Sequence, residues 1–482
     1  RLSCPSVNSL FADSENNIWI GTAWGGVNML KGTPAKFRLF KHDTDVDNSL
    51  PASPVNAIAS DGHNQLFVAT MGTSRVGLCK LNLVSGEVTE LPVNRRLPGY
   101  VYQSAYYDKS GTLWLGTYNR GLLRIQPQSE QYEQFMFDPN DSMSLPGNDV
   151  RALHESRNGQ LWIGTEVGLA RMDKNTRRIT RVKLGSASVF AIRRITEDAN
   201  GILWLGTYGN SVVMYNPATN EPTFNALPIL PYIVHDIFIN KNTAFIATNG
   251  DGLVTYNLND KTHRVYTETD GLLSNYLNSV LCDSKGNVWI GSNKGISKLN
   301  PSTHEIVNFN SGDGLQPREF SDRAAVRLPN DAMAFAGFGG INVFDPLKVT
   351  KDDKCPKVVF TRLFVFNELI TPASNKTKKA PLKQNISLSE QIELRHNHAV
   401  FTIEFMGINY NANPKIQYAY LLEGADKTWN NLGNQNSVTF RNLSPGTYTF
   451  KVKASSPDAV WTDENIATIR LVINPPFWAT VW

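Results

Sequence analysis

Eight side chains of this 482-residue chain are of the types that bind sugars and lie in predicted turns or loops. Aromatic rings pack against the C–H faces of a sugar, and amide, carboxylate and guanidinium groups hydrogen-bond to its hydroxyls. These candidate ligand-binding residues are Trp24, Tyr118, Arg120, Tyr208, Asn210, Asp251, Lys294 and Arg318. For any one of them taken alone, an ordinary solvated turn residue is the competing interpretation.

Two histidines, His154 and His235, are candidates for acid–base chemistry, because they fall in predicted inner strands. An imidazole acts as a general base when it lies within reach of the proton to be moved. A packed, hydrogen-bonded histidine is the alternative, and it is the one we favour. The sequence has no Ser-His-Asp order, no G-x-S-x-G motif and no phosphate-binding glycine loop. It therefore predicts no catalytic residue.

Metal and cofactor chemistry has no support in the spacing of the cysteines. Cys4, Cys79, Cys282 and Cys355 form no C-x-x-C pair and have no histidine at metal-binding distance along the chain. We therefore expect no metal, no cofactor and no disulfide framework.

The elements that position the candidate turns come from an internal repeat. An aromatic residue followed by small and apolar residues recurs at intervals of 41 to 48 residues, at Trp19, Phe67, Trp114, Trp162, Trp204, Phe245, Trp289 and Phe335. Each unit alternates apolar and polar residues with period two, and glycine-containing turns separate the segments. Four strands in a unit of this length are typical of a β-propeller blade. The repeated tryptophans are then expected to pack between blades.

Eight motifs do not require eight blades. The last unit lacks a fourth strand, because the chain leaves it through residues 348–356. Residues 37–41 (FRLFK) are expected to supply that strand and close a ring of seven, which removes exposed sheet edges. Residues 1–34 then form a partial blade of a preceding propeller, and residues 35–350 form the seven-bladed propeller. A single eight-bladed ring is the alternative.

A second domain is predicted after the propeller. Alternating runs such as VVFTRLFVF, AVFTIEFMGI and GTYTFKVKAS indicate antiparallel strands over residues 356–474. Their number and length are typical of an immunoglobulin-like β-sandwich. The predicted fold class is therefore all-β, a seven-bladed β-propeller with four-stranded blades followed by an immunoglobulin-like β-sandwich.

Composition excludes several classes of protein. The chain has 47 Lys and Arg against 43 Asp and Glu, a net charge of +4 spread along its length, which does not favour a nucleic-acid partner. With 41% hydrophobic residues it is not disordered. No window approaches the roughly 18 to 20 apolar residues of a membrane span, so we expect a soluble piece.

The residues of the second domain resemble a known family. The run from Tyr418 to Gly424 (YAYLLEG), Trp429, the run from Leu443 to Val452 (LSPGTYTFKV) and Trp461 are similar to the Y_Y_Y domain, named for its three tyrosines. The L-W-I-G-T-x-x-G-L units resemble two-component regulator propeller repeats. In this order, the two modules resemble the periplasmic sensor region of hybrid two-component system proteins from gut saccharolytic bacteria.

The resemblance implies a function that the residues alone do not. It implies a non-enzymatic region of an inner-membrane histidine kinase, which detects a glycan-derived oligosaccharide in the periplasm and signals to a transmembrane helix. It further implies a homodimer through the sandwich domain, contacts with the chain's own preceding propeller, and a juxtamembrane segment at residues 475–482.

Two other functions remain open at the level of sequence. One is a propeller enzyme, a lyase or glycosidase-like protein acting at the axial funnel, and the other is a protein-binding scaffold. A histidine beside carboxylates at the axis favours the enzyme, whereas an exposed apolar patch on the rim favours the scaffold.

Overall fold

The computed structural model describes residues 2–13, 16–30, 32, 35–71, 77–185, 191–224, 227, 233–350, 355–372, 381–408, 416–456 and 460–476. Within these ranges the regular structure is β-strand, apart from 3-10 helices at Pro92–Arg95, Glu268–Asp270, Ser311–Asp313 and Ile386–Leu388. The chain divides into two compact units, Arg1–Val349 and Thr350–Trp482. No helix of the described residues is long and apolar enough to cross a membrane.

The first unit contains seven antiparallel sheets of four strands each, which are the propeller blades. Their strands are Val55–Ser60, Gln65–Thr70, Gly77–Asn82 and Val88–Glu90 in blade 1; Tyr102–Tyr107, Leu113–Thr117, Leu122–Ile125 and Tyr132–Phe135 in blade 2; Val150–Glu155, Leu161–Thr165, Gly168–Met172 and Ile179–Val182 in blade 3; Ala191–Glu197, Leu203–Tyr208, Val212–Asn216 and Glu221–Thr223 in blade 4; Val234–Asn240, Thr243–Thr248, Leu253–Asn257 and His263–Tyr266 in blade 5; Leu277–Cys282, Val288–Ser292, Ile296–Asn300 and Glu305–Phe309 in blade 6; and Phe320–Arg327, Met333–Gly337, Gly340–Phe344 and Arg38–Phe40 in blade 7. The first strand of each blade contacts the first strands of both neighbouring blades, including blade 7 with blade 1. These seven inner strands therefore enclose the axis, and the predicted seven-bladed fold is confirmed.

Blade 7 is built from both ends of the propeller sequence. Arg38–Phe40 pairs antiparallel with Gly340–Phe344, with Leu39 opposite Asn342. The buried ring of Phe37, just before this strand, lies 4.9 Å from the ring of Phe344. The predicted closing strand is confirmed, and the eight-bladed alternative is wrong because this strand completes the seventh sheet.

A buried hydrogen bond explains the spacing within the repeat. In blade 2, the carboxylate of Asp108 accepts a hydrogen bond from the indole of Trp114 at 2.9 Å, and Asp198 and Asp283 do the same for the tryptophans six residues later. The indole rings then pack between blades; that of Trp162, for example, lies 5.8 Å from the ring of Tyr215 in the next blade. The predicted packing role of the tryptophans is confirmed.

The glycine two residues after the tryptophan, within the same strand, permits close contact between blades. A Cβ atom at Gly116 would collide with the carbonyl oxygen of Val150 in blade 3. Any larger side chain at this position would push the second strand of blade 2 away from the inner strand of blade 3. A small residue at this position is therefore needed for the close packing of neighbouring blades.

The N-terminal residues form a separate sheet of three strands, Val7–Ala12, Ile18–Thr22 and Val27–Leu30. It repeats a feature of the blades, because the carboxylate of Asp13 accepts a hydrogen bond from the indole of Trp19 at 2.8 Å. Unlike the blades, it leaves large apolar side chains exposed, including Leu10 and Phe11. Its assignment to a preceding propeller stays a prediction.

The second unit is a sandwich of two sheets. One consists, in spatial order, of Glu368–Leu369, Val358–Val365, Val400–Gly407 and Ser437–Arg441, and the other of Gln391–Arg395, Ala467–Asn474, Gly446–Ala454, Tyr418–Glu423 and Asn430–Gly433. The facing sides of the sheets form one apolar core that includes Phe405 and Phe450. Tyr418 reaches this core, and its hydroxyl accepts a hydrogen bond from the backbone N–H of Gly407 at 3.0 Å.

We predict that ring closure depends on the apolar contacts of Phe37. The change Phe37→Ala removes a buried aromatic ring and should lower the free energy of unfolding by about 3 to 5 kcal/mol in a urea titration. The matched control is Phe11→Ala, which removes a ring that is 65% exposed and should change that free energy by about 0.5 kcal/mol or less. Equal losses in the two variants would contradict the prediction.

We predict that Asp108 stabilises the fold in its ionised form. Burial opposes ionisation, but hydrogen bonds from Ser110, Trp114, Thr112 and Lys174 outweigh it and lower the pKa of Asp108 to about 2. This stabilisation is present above the unfolded-state pKa of about 3.9 and is lost as the pH falls through about 2.

The test is Asp108→Asn, measured by denaturant unfolding at several pH values. At neutral pH the variant should lose about 1 to 3 kcal/mol, and the difference from the parent should shrink with acidification. Asp251→Asn, in an exposed turn, is the control. A difference that does not change with pH would show that the charge of Asp108 is not what stabilises the turn.

Candidate functional site

Each inner strand of the propeller begins with a β-bulge, opposite the end of the second strand. In blades 1 to 6 the unpaired residue is Asn56, Gln103, Arg151, Arg193, His235 and Asn278, in that order. In blade 7 the irregular stretch runs between Phe320 and Ala325 and contains Asp322 and Arg323. A bulge redirects a side chain away from the regular pleat. We call these eight polar residues the axial ring.

Two cavities lie at the axial ring. The larger has a volume of about 340 Å³ and is lined by Asn56, Tyr102, Gln103, Asn278, Glu319, Phe320, Ser321, Asp322, Arg323 and Phe338. The smaller, of about 40 Å³, is lined by polar residues that include Arg151, Arg193, Arg194 and Arg323. Asn56, Gln103 and Arg323 border both cavities. Every residue of the axial ring except His235 therefore lines at least one of these cavities.

The carboxylate of Asp149 is held on two sides at this site. The side-chain amide of Gln103 donates a hydrogen bond to it at 2.7 Å. The guanidinium of Arg151 donates two more, from Nη2 at 2.5 Å and from Nε at 3.0 Å. Asp149 therefore neutralises Arg151 and fixes both side chains.

Asp236 is buried next to the axial ring and pairs with Arg194. Its carboxylate accepts hydrogen bonds from the backbone N–H groups of Ile237 at 2.9 Å and Val280 at 3.0 Å. The Nε atom of Arg194 lies 2.9 Å from Asp236 Oδ1. Burial raises the pKa of Asp236, and these contacts oppose the rise.

His235 and Arg193 share the carboxylate of Asp322. The Nδ1 atom of His235 lies 3.4 Å from Asp322 Oδ1 and 3.0 Å from the carbonyl oxygen of Leu277. Because a carbonyl only accepts, Nδ1 carries the proton and Nε2 is an acceptor in the neutral ring. Arg193 Nη2 lies 3.6 Å from Asp322 Oδ2.

The protonation of these groups follows from their burial. Burial lowers the pKa of His235 although Asp322 opposes this, so the imidazole is neutral at neutral pH. Burial likewise lowers the pKa of Arg323, to about 10, which leaves its guanidinium charged.

Of the residues predicted from sequence, Tyr208 contacts a member of the axial ring, Arg193. The guanidinium of Arg193 lies 5.9 Å from the centre of the Tyr208 ring, within range of a cation–π interaction. Arg318 is exposed and immediately precedes Glu319, which borders the larger cavity. The structure therefore relates these two predicted residues to the site.

The other predicted residues are distributed among turns. Tyr118 is exposed, and the carbonyl oxygen of Arg120 accepts a hydrogen bond from Gln134 in the outermost strand of blade 2. Lys294 forms an ion pair with Glu268 at 3.1 Å. None of these three candidates lines either cavity.

The remaining predicted residues have local roles or lie elsewhere. The backbone N–H groups of Asn210 and Asp251 donate to the hydroxyls of Thr207 and Thr248, both at 3.1 Å, which stabilises the turns. Trp24 is 91% exposed and lies in the three-stranded N-terminal sheet, outside the seven blades. Ligand binding by the eight predicted residues stays a prediction.

His154 does not lie at the cavities, although its strand does. Its Nε2 atom is buried and lies 3.7 Å from Glu197 Oε2. Burial lowers the pKa of His154 to about 4, Arg194 adds to the decrease, and Glu197 opposes it. Neither candidate histidine lines a cavity, but His235 contacts Asp322, which borders the larger one.

The axial ring was not predicted from sequence as a set, although a regularity in the repeat marks it. The bulged residue precedes the motif aromatic by 11 positions in blades 1, 2, 3, 4 and 6, and by 10 in blade 5. An alignment of the repeats on that aromatic would have placed a polar residue in one column. Arg323 lies in the inner strand of blade 7.

No arrangement of side chains in the part of the chain that the structure describes supports metal binding. That part has no group of three or more His, Cys, Asp or Glu placed to hold a metal ion. No disulfide links Cys4, Cys79, Cys282 or Cys355.

Two family models match the chain. The model described as two component regulator propeller matches residues 1–24, 96–119, 144–167, 185–209 and 271–294. The model described as Y_Y_Y domain matches residues 409–474. The chain therefore carries both modules, in the order expected from the sequence.

Relatives with the same architecture cover the whole chain. The extracellular domain of the hybrid two component system BT3049 from B. thetaiotaomicron is 26% identical, with a TM-score of 0.79 over 98% of this chain and 62% of that chain. The chain is thus similar in sequence and fold to the extracellular domain of a hybrid two-component system. Histidine kinase P4 from Formosa agariphila is 23% identical over 490 residues, which cover 100% of this chain and 32% of that protein. The chain thus spans about a third of the length of that kinase.

The propeller of this chain also has the fold of a known enzyme. Virginiamycin B lyase from Staphylococcus aureus is 15% identical, with a TM-score of 0.50 over 64% of this chain and 98% of that chain. At this identity the likeness concerns the fold alone. The propeller-repeat matches carry more information about the site, because those in blades 2, 3, 4 and 6 each contain a bulged residue of the axial ring.

We predict that the buried His154 makes the protein less stable in mild acid. The unfolded chain takes up a proton at an imidazole pKa of about 6.5, whereas the folded chain does so only near pH 4. The free energy of unfolding should therefore fall as the pH is lowered through this window.

His154→Gln should flatten this part of the profile in denaturant titrations, and His63→Gln, which alters an exposed turn, should leave it unchanged. Parallel profiles for the parent and His154→Gln would contradict the prediction.

Proposed function

We propose that this chain is the ligand-sensing region of a membrane-bound hybrid histidine kinase, located in the periplasm, and that an oligosaccharide derived from a glycan binds at the axial ring. The observation that carries the proposal is the set of β-bulges, which place polar residues of six of the seven blades at the two axial cavities. The match to extracellular domains of two-component systems supports a sensing role.

The lining of the larger cavity suits a sugar. Its volume of about 340 Å³ lies in the range of small-molecule sites. Phe338, which is 43% exposed, supplies aromatic surface, and the amides of Asn56, Gln103 and Asn278 supply donors and acceptors for hydroxyls. Sugar recognition needs both kinds of surface on a preformed site.

Signalling requires that the ligand favour one state of the protein over another. A ligand shifts an equilibrium only by the difference in its affinity for the two states. We propose that the sandwich passes this shift to a transmembrane helix, through a homodimer of sandwich domains and in contact with a preceding propeller. These parts of the proposal rest on the resemblance to sensor regions.

A specific observation also favours an enzymatic alternative, acting as a lyase or glycosidase. His235 is neutral and contacts Asp322 at 3.4 Å, so its Nε2 atom can accept a proton from a ligand. The contact between Arg193 and the same carboxylate is equally consistent with a binding role. Asp322 would then serve to orient the side chains of Arg193 and His235.

The test is calorimetric titration of the chain with neutral and acidic oligosaccharides, with chromatographic analysis of the same samples for products. We expect binding without turnover. Because each lost hydrogen bond costs about 0.5 to 1.5 kcal/mol, the double variant Gln103→Ala, Asn278→Ala should weaken binding about tenfold. Asn175→Ala, in an exposed turn of blade 3, is the control.

Two results would contradict the proposal. Equal affinity of the double variant and the parent would exclude the axial ring as the binding site. Product formation that is lost in His235→Asn would identify the chain as an enzyme.

A further inference from the structure

We propose that the smaller cavity of the axial ring binds an anionic group, the carboxylate or sulfate ester of an acidic sugar, through Arg151, Arg193 and Arg323. This inference rests on the proposed function and deepens it, because it names acidic oligosaccharides as the class of ligand. It follows from the balance of charge at the axis, the free donors of two arginines and the position of the cavity.

Positive charge exceeds negative charge at the floor of the site. Four arginines lie there, Arg151, Arg193, Arg194 and Arg323. Three carboxylates oppose them: Asp149 pairs with Arg151, Asp236 with Arg194, and Asp322 with Arg193. His235 adds no charge because it is neutral. Arg323 forms no ion pair of its own among the described residues, although the charges of Asp322 and Asp236 act on its guanidinium.

The guanidinium of Arg323 also has unused donors. Its Nε and Nη1 atoms are buried and have no hydrogen-bond acceptor within the described part of the chain, and the same holds for Nε of Arg193. A buried donor without an acceptor costs free energy, and more so when the group is charged. A carboxylate or sulfate matches the planar fork of a guanidinium with two parallel hydrogen bonds.

The two cavities are arranged for a sugar with an acidic substituent. The smaller one has room for a small polar group and is lined by Arg151, Arg193 and Arg323. Arg323 also borders the larger cavity, where the sugar ring is proposed to bind. An anionic substituent can therefore occupy the arginine side while the ring stays among the amides and aromatic groups.

Carboxylates near the entrance do not cancel this preference. Asp322 is already engaged by Arg193 and His235, and Glu319 is exposed, so water and salt screen its charge. A neutral sugar would leave the charge of Arg323 unpaired, whereas an acidic sugar would pair it. The site should therefore discriminate by charge.

The experiment compares sugars that differ only in charge. Oligosaccharides of polygalacturonate, alginate and chondroitin sulfate are titrated into the chain, each beside its carboxyl-reduced or desulfated form. Because a hydrogen bond to a charged group is worth about 1.5 to 3 kcal/mol, at least one acidic form should bind about tenfold or more tightly than its neutral counterpart. Glucuronate and glucose serve as probes for the anionic group alone.

Substitutions then test which residue causes the preference for acidic sugars. Arg323→Gln should reduce the affinity for the acidic form to that of the neutral form and leave the neutral form unaffected, and Arg323→Lys should retain part of the preference. Arg178→Gln, in an exposed outer turn of blade 3, is the matched control. Melting temperatures of all variants without ligand separate a loss of fold from a loss of binding.

The outcomes distinguish the two proposals. Equal binding of the charged and uncharged forms by the parent protein would overturn the anion site and leave oligosaccharide sensing intact. An acidic preference that survives in a folded Arg323→Gln variant would also overturn it. No binding of any sugar would contradict the proposed function itself.

Discussion

The closing of the ring is the constraint on which the propeller depends. Arg38–Phe40 completes the sheet of blade 7, and the inner strands of blades 7 and 1 are then neighbours. Without that strand the ring would have two open edges, one of them a sheet with unpaired backbone groups. Closure also fixes the distance of every inner strand from the axis, so it determines the width of the space that the axial ring lines.

Packing between blades leaves little freedom at the axis. Glycines such as Gly116 let neighbouring strands approach closely, and Trp114 is held by the carboxylate of Asp108. Apolar residues fill the space between blades, so polar groups are accommodated where the inner strands begin. The bulge at that point turns one side chain per blade out of the pleat and toward the axis.

The axial ring brings together charges that are far apart in sequence. Asp322 of blade 7 contacts His235 of blade 5 and Arg193 of blade 4. Such pairs compensate only part of the cost of burial, and the excess of arginine makes the site selective for the charge of its ligand. A binding role and an acid–base role use the same residues, which is why a measurement of turnover has to accompany a measurement of affinity.

The repeat by itself determined the all-β class and favoured seven blades with a closing strand, because its period and the missing last strand are visible in the order of residues. The pairing of that strand in the structure excluded the eight-bladed ring. The repeat also determined the packing role of the tryptophans. It did not identify the axial ring, because the one-residue shift that a bulge makes in the alternation cannot be told in sequence from the end of a strand. Predicted turn residues such as Lys294 and Asn210 have contacts within their own loops or with a neighbouring loop. Only the tertiary structure decided which polar residues meet, since Arg193, His235 and Asp322 become neighbours when seven strands surround one axis.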